Sequence, residues 1–400
     1  MSRQDPPAAN DLSDSRLLWL RATAQRLTRD GLARTSPAAI LHEVGGLQAQ
    51  VLSAAALGMR ARSTGLLAAS VNRALNDERS IVRTWLMRGT LHVVAAEDVR
   101  WLLGLLGPVF SRGATRRHAQ LGLDDDLKAR GVAAIRRILS DSGPLTRYEL
   151  VDRLRRWNVT LDPKTQAPIH LIGLAGLQGI LCLGPDRDDG DPTYVLMDDW
   201  VPPGPTRSRE MALTELGRRY FAAYGPATVE DLSAWSGLSK IDARSAVSGA
   251  RASLAEVIIQ GQPGFLLKQL LKLQAKAQKT DVRLLPAFDA YLLGYRRRDA
   301  AVPEPLQRRL QRGGGWLHPA VVVNGRAVAA WSLRKSGSRR GQVRVENFEA
   351  IRPTVRARIE TEVDDIGRFL DLQLMVNFTP RHVGGEIGTP LHKKRRGVLI

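Results

Sequence analysis

Two segments of this chain open in the same way. Gly143-Pro144-Leu145-Thr146 and Gly225-Pro226-Ala227-Thr228 each lead into a short amphipathic run: Tyr148, Leu150, Val151 and Leu154 in the first, Val229, Leu232 and Trp235 in the second. In each, the threonine is a good N-cap, and Glu149 or Asp231 three residues later completes a capping box. In each, a second helical segment follows, over 164–177 and 240–247. After the first pair come two apolar runs, 179–183 and 193–197, around the acidic glycine turn Asp188-Asp189-Gly190-Asp191, which is the pattern of a β-hairpin. Such repetition constrains the fold more than any single element, because each small unit must bury its apolar faces against its neighbours.

The first third spells the same order less regularly. A helix from Ser15 carries Leu17, Leu18, Leu20, Ala24 and Leu27 on one side and ends near Gly31. Ser36-Pro37 combines an N-cap hydroxyl with proline at the first helical position, opening a short helix that stops at Gly45-Gly46. An apolar helix runs on through Met59 and another spans 66–75, and 82–87 leads into a strand over 90–94. Short helices followed by strands is the order of a winged-helix unit. The chain therefore reads as α+β, mainly helical: tandem winged-helix (helix-turn-helix) domains with a C-terminal β-rich element and a closing helix.

Beyond the last of these units the texture changes. A basic amphipathic helix is predicted over 266–279, with Lys268, Lys272, Lys276 and Lys279 on one side. Strand-like runs follow at 282–285, 320–323, 327–333 and 342–348, with the strong hairpin signal Asn324-Gly325 between two of them. A closing helix over 354–374 places Val355, Ile359, Val363, Ile366 and Leu370 at helical spacing. The expected organisation is a flexible tail (1–14), three winged-helix units (15–125, 126–205, 206–280), a β-rich region with its helix (281–378), and a basic flexible tail (379–400) containing Lys393-Lys394-Arg395-Arg396.

The chain has 400 residues, 59 of them basic and 40 acidic, for a formal charge of +19. Such an excess attracts polyanions, nucleic acid first, although arginine is also raised by GC-rich coding. A single cysteine, Cys182, rules out an internal disulfide and a cysteine zinc cluster, and the seven histidines show no metal-ligand spacing. No metal or cofactor is expected. No apolar run has membrane-spanning length and the N-terminus is polar, so a cytoplasmic, nucleoid-associated monomer without membrane contact is expected.

Two segments carry candidate chemistry. One is Gly46-Leu47-Gln48-Ala49-Gln50. The other, Arg83-Thr84-Trp85-Leu86-Met87-Arg88-Gly89-Thr90-Leu91-His92, sets polar side chains beside a predicted strand. Read on its own, it fits a structural role, with Arg83 and Arg88 bracing the fold and Thr90 and His92 facing solvent. Together with Leu285-Pro286-Ala287-Phe288-Asp289-Ala290-Tyr291-Leu292-Leu293-Gly294-Tyr295-Arg296, in that order, these segments resemble the bacterial winged-helix DNA glycosylases of the AlkZ-like type. That family includes alkylpurine glycosylases that unhook interstrand crosslinks and confer self-resistance on producers of DNA-alkylating antibiotics. The resemblance covers roughly residues 15 to 375 and implies that Gln48 and Gln50 are the catalytic pair, in the double-glutamine form associated with crosslinks and antibiotic adducts.

The chemistry of the residues is compatible with this. Glutamine is neither acid nor base near neutral pH, but its amide oxygen accepts and its amide nitrogen donates a hydrogen bond. Two glutamines can orient a water at C1′ and cannot protonate a leaving base. An N7- or N3-alkylated purine is already cationic and needs no protonation. Residues two apart on a helix point about 200° apart, so Gln48 and Gln50 must lie off a regular helix if they act together, and Gly45-Gly46 offers a non-helical approach.

The expected partner is double-stranded DNA carrying alkylated purines. Arg60, Arg62, Arg83 and Arg88, with Thr90 and His92 beside them, are candidate DNA contacts around the motif. Arg334-Lys335 and Arg339-Arg340 flank a hairpin turn that could track the backbone or probe a groove. Trp316, His318 and Asp289 are candidates for shaping a lesion cleft. The expected activity is that of a monofunctional glycosylase with an open cleft, giving free base and an abasic site. The alternatives are a non-catalytic winged-helix transcription regulator, disfavoured by the several units and the lack of a dimerisation coiled coil, and a non-catalytic lesion-binding protein.

Overall fold

A computed structural model describes residues 11–187, 190–204, 207–274, 280–312 and 315–379. The chain begins with α1 (Asp14–Ala24), capped by Ser13 Oγ, and α2 (Pro37–Val44), capped by Ser36 Oγ with Pro37 at its start as expected. Then come β1 (Leu47–Gln48), α3 (Leu52–Arg60), α4 (Ala68–Asn76), β2 (Ile81–Trp85), β3 (Leu91–Ala95) and the long α5 (Ala96–Gly113). The second stretch holds α6 (Thr115–Gln120), α7 (Asp125–Ser142), β4 (Leu145–Thr146), α8 (Arg147–Leu154), α9 (Ala167–Leu177), β5 (Leu181–Leu183), β6 (Thr193–Leu196) and α10 (Met197–Trp200). The third holds α11 (Arg209–Tyr224), α12 (Val229–Ser236), α13 (Lys240–Ala250), β7 (Leu254–Ile259), β8 (Gln262–Leu267) and α14 (Lys268–Leu271).

Both predicted capping boxes form. Thr146 Oγ1 accepts from Glu149 N at 3.3 Å while Glu149 Oε2 accepts from Thr146 N at 2.7 Å. Thr228 and Asp231 exchange the same two bonds at 3.1 and 2.9 Å. Asp231 Oδ1 also accepts from Arg296 N at 2.9 Å, tying the C-terminal region to the third helix pair.

One sheet crosses the first two stretches in the order β1-β3-β2-β5-β6-β4. The register Arg83↔Leu183 joins β2 to β5, so the backbone ladder passes over the expected boundary at 125/126 without a break. The helix expected at 266–279 is corrected: Leu266 and Leu267 end β8, and α14 is one short turn. The strand wins because Leu266 lies fully buried across from Ala255, where a hairpin and not a helix covers it. Lys276 and Lys279 lie outside the described residues. At the N-terminus, Leu12 N donates to Ile258 O at 3.1 Å, so 11–14 are anchored rather than part of a tail.

The C-terminal region adds β9 (Val282–Leu285), α15 (Ala290–Leu293), α16 (Glu304–Leu310), β10 (Gln311–Arg312), β11 (Trp316–Leu317), β12 (Ala320–Val323), β13 (Arg326–Ser336), β14 (Arg340–Asn347), α17 (Pro353–Leu370) and β15 (Gln373–Thr379). Its five-stranded sheet runs β15-β14-β13-β12-β9. Asn324 (φ 49°) and Gly325 (φ 83°) form the expected tight turn between β12 and β13. The closing helix ends four residues early at Leu370, and the chain returns as β15, parallel to β14. Val355, Ile359, Val363 and Ile366 are buried, as their spacing requires. The basic residues 393–396 lie outside the described residues.

Candidate active site

The chain leaves α2 through two left-handed glycines, Gly45 (φ 72°) and Gly46 (φ 92°). A Cβ on Gly46 would lie 2.7 Å from Val94 Cγ1, so the position needs both the conformation and the missing side chain. The turn delivers Leu47 and Gln48 as β1, antiparallel to β3, with Gln48 opposite His92. Ala49 N extends the ladder by donating to Leu91 O at 2.7 Å, and α3 starts only at Leu52. The motif therefore lies off any helix, with Gln48 ending β1 and Gln50 in the bend that leads to α3. Off the helix, the 200° separation that helical residues two apart would show does not apply. Burial alternates: Leu47 and Ala49 are buried, Gln48 is half-buried and Gln50 exposed.

Two arginines hold the motif. Arg88, in the turn between β2 and β3, has left-handed backbone (φ 57°, ψ 17°), which aims its side chain back across the sheet. Its Nη2 donates to Gln48 Oε1 at 2.7 Å and its Nη1 to Trp235 O at 2.6 Å, so it joins the motif to the end of α12. Arg83 Nε donates to Ala49 O at 3.0 Å, with Nη2 at 3.5 Å from Gln50 O. Burial lowers both guanidinium pKa values. An arginine nevertheless stays a cation at neutral pH.

His92 and Thr84 complete a row across three strands, in the register Gln48↔His92↔Thr84. His92 is buried, its Nδ1 lies 2.9 Å from Thr90 O, and burial pulls its pKa down to about 3, helped by the Arg88 charge. It is neutral at physiological pH and cannot serve as a general acid there. Thr90 Oγ1 donates to Met87 O at 3.1 Å.

These positions revise several expectations. Arg60 and Arg62 are not phosphate contacts, since both are buried with their guanidinium groups engaged inside the protein. Arg60 pairs with Glu362 and Asp365 on α17 at 3.2 and 3.0 Å. Arg62 grips Asp289 through two bonds of 2.8 Å and donates to Gln25 Oε1 and Gly58 O. Asp289 is accordingly no wall of a cleft; it is a buried counter-ion that also caps α15 by accepting from Tyr291 N at 2.9 Å. His92, a candidate DNA contact that the structural reading placed facing solvent, is buried in the sheet. Arg83 and Arg88 are turned inward onto the motif, and Thr90 onto its own turn.

Trp316 is half-buried and meets Phe288 edge-on, with ring centroids 4.7 Å apart. Both rings belong to an apolar cluster that reaches Val51 and Ala54 at the start of α3, directly after Gln50. His318 is buried, 8% exposed. Arg334, Lys335, Arg339 and Arg340 are all exposed around the β13–β14 turn. Sequence reasoning missed the contact of Arg88 with Trp235, whose one signal was its place at the end of a capped helix.

Cavities of about 760, 790 and 580 Å³ lie elsewhere, and none of these three is lined by Gln48 or Gln50. His42, Glu97 and Asp98 bring ligand atoms within 4.8 Å of one another, but Asp98 already accepts from Arg219 and Trp101, and that guanidinium opposes a cation. Burial pushes the Cys182 thiol up, so it is no nucleophile near neutral pH. No helix of the described residues is long and apolar enough to cross a membrane.

Comparison with known proteins converges on one family. A family model described as "DNA glycosylase AlkZ-like" matches residues 41–369, which contain the motif, both arginines and the C-terminal segment. The chain is 33% identical over 334 residues to the interstrand DNA cross-link repair glycosylase of Streptomyces sahachiroi, covering 79% of this chain and 88% of that protein. The solved structure of the Streptomyces sahachiroi DNA glycosylase AlkZ superposes with a TM-score of 0.76 at 27% identity, covering 92% of this chain and all of the other. This chain belongs to the AlkZ-like DNA glycosylase family.

Proposed function

We propose that this protein is a monofunctional DNA glycosylase built from tandem winged-helix units. In this reading it releases cationic N-alkylated purines, including bulky adducts and interstrand crosslinks, from double-stranded DNA, with Gln48 and Gln50 as its catalytic residues. One observation carries the reading: the two glutamines lie off any helix, at the end of β1 and in the bend after it, and the side chains bonded to them or paired with them across the ladder are Arg83, Arg88 and His92. None of these is a carboxylate, and His92 is neutral. The side chains that touch the pair thus have no proton to give a leaving base. The carboxyl that Arg83 feels, Asp186, is pushed up by burial and is held as the counter-charge of Arg83, so the pair itself favours bases that arrive with their charge in place. N7- and N3-alkylated purines meet that condition and undamaged purines do not.

The same set contains no lysine, whose amine an imine-forming lyase would need. The product is therefore an abasic site with an intact backbone. The exposure of Gln50 supports an open site that works on lesions too large for a tight pocket. The exposed cations of the β13–β14 hairpin are the best-placed DNA contacts, since arginines 60, 62, 83 and 88 are engaged within the protein. The Streptomyces relative, named for interstrand cross-link repair, supports crosslinked DNA as substrate.

The test is direct. Purified protein is incubated with a duplex carrying N7-methylguanine and with an N7-crosslinked duplex, and each is analysed with and without hot alkali. Release of free base, with strand scission at the lesion only after alkali, is expected. Failure to release base from either duplex overturns the reading, and scission without alkali overturns its monofunctional part.

A further inference from the structure

The two glutamines are not chemically equivalent, and Arg88 is the reason. A guanidinium has five donors and no acceptor, so the bond of 2.7 Å from Arg88 Nη2 fixes which end of the Gln48 amide faces it: the oxygen. Arg88 cannot turn away freely. Its left-handed backbone and its second bond, to Trp235 O, hold the guanidinium in place. Gln48 Oε1 is thus engaged by a cation, which withdraws electron density from the amide and strengthens its N–H groups as donors. Gln48 Nε2 has no hydrogen-bond partner among the described residues. Gln50 differs on each point. Its side chain is exposed and unpartnered among the described residues, and the nearby Arg83 addresses its backbone oxygen alone.

We propose that Arg88 divides the labour between the pair, making Gln48 the donor to the departing base and leaving Gln50 as the acceptor that orients the attacking water. This rests on the glycosylase reading above. As the C1′–N9 bond breaks, its electron pair passes to the purine and cancels the positive charge. The density collects at acceptors such as N3 and O6, where the amide of Gln48 can meet it. Water adds to C1′ with a hydrogen directed at Gln50 Oε1, and the released proton passes to solvent. Arg88 touches neither reactant and is a positioning residue.

Glutamate substitutions separate the two roles, because a carboxylate accepts but does not donate. Gln48→Glu keeps a partner for Arg88 and removes the donor, so kcat on N7-methylguanine DNA should fall by at least about 100-fold with KM little changed. Gln50→Glu keeps the acceptor, so kcat should stay within about tenfold of the wild type and acquire an acidic limb where the carboxylate protonates. Arg88→Met should lower kcat and make the two glutamate changes similarly damaging, and Arg88→Lys should restore part of the difference. Equal losses in Gln48→Glu and Gln50→Glu, or the reverse order, overturn the proposal. A readout that needs no turnover goes with it. In the free protein, the side-chain amide resonances of Gln48 should shift on Arg88→Lys while those of Gln50 stay in place, and equal shifts overturn the division. Base release by the wild type separately tests the glycosylase reading.

Discussion

His92 and Arg62 show how polar residues beside a candidate catalytic motif can serve the fold. His92 is buried between Gln48 and Thr84 with its pKa drawn down to about 3 from an ordinary 6.5. The unfolded chain therefore binds a proton at this side chain between those values and the folded chain does not. Stability linked to His92 is fully present above pH 6.5 and falls as the pH drops toward 3. From pH 6.5 to 5 the loss should be roughly 1–2 kcal/mol, measured by urea unfolding at each pH. His92→Gln should flatten that dependence, and an unchanged pH slope in the variant would contradict the assignment. Arg62 and Asp289 are both fully enclosed and hold each other through two bonds of 2.8 Å. Removing one partner leaves a buried charge alone, so Arg62→Ala or Asp289→Ala should cost about 3–5 kcal/mol of folding stability. A contact to DNA phosphate would instead leave the unfolding midpoint in place and weaken binding in a salt-dependent way, so the two measurements together separate the roles.

At the scale of elements, what was legible in the sequence followed the strength of the local signal. The capping boxes at Thr146 and Thr228, the Ser36-Pro37 start and the Asn324-Gly325 turn each rest on interactions within four residues, and each formed where it was expected. Residues 266–267 misled because lysines at helical spacing resemble an amphipathic face, whereas the pairing of β8 with β7 is a tertiary fact. The motif itself was half legible. Amide chemistry and the two-residue spacing required a non-helical site, but its neighbours come from Arg88 40 residues away and Trp235 147 residues from Arg88, and no local pattern announces them. The burial of Arg60 and Arg62 was invisible for the same reason, since their counter-ions Glu362, Asp365 and Asp289 lie more than 200 residues on. The β13–β14 hairpin is the element whose exposed cations match the DNA-contacting role proposed for it. Replacing Arg334, Lys335, Arg339 and Arg340 with glutamine should weaken binding across sequences and reduce the steepness of log K against log salt, by about 0.9 for every phosphate that the hairpin no longer neutralises. An unaltered salt slope would remove the hairpin from the interface.

For the whole molecule, the motif is a meeting point rather than the property of one unit. Its strand and Arg88 come from the first stretch, and the sheet continues through β5 into the second. Trp235 in the third stretch accepts from Arg88, and α3 with the residues just after it is fixed to the C-terminal region through Arg60 and Arg62. What this assembly presents to DNA has a distinctive electrostatic character. The overall charge of +19 favours any duplex, and this electrostatic attraction does not distinguish damaged from undamaged DNA. In the proposed mechanism, discrimination comes from the chemical step. The two glutamines do not titrate, His92 stays neutral, and the leaving base of an N7-alkylated purine brings its own charge. The single-turnover rate of N7-methylguanine release should therefore be flat from about pH 5 to 6.5, where the alkylated base keeps its N1 proton and its positive charge and no protein group in the proposed mechanism changes protonation. Undamaged guanine in the same duplex should not be released above background at any pH in that range. A rate that climbs as the pH falls would mean that a proton is being supplied to the base, and the selectivity argued here from the missing acid would fail with it.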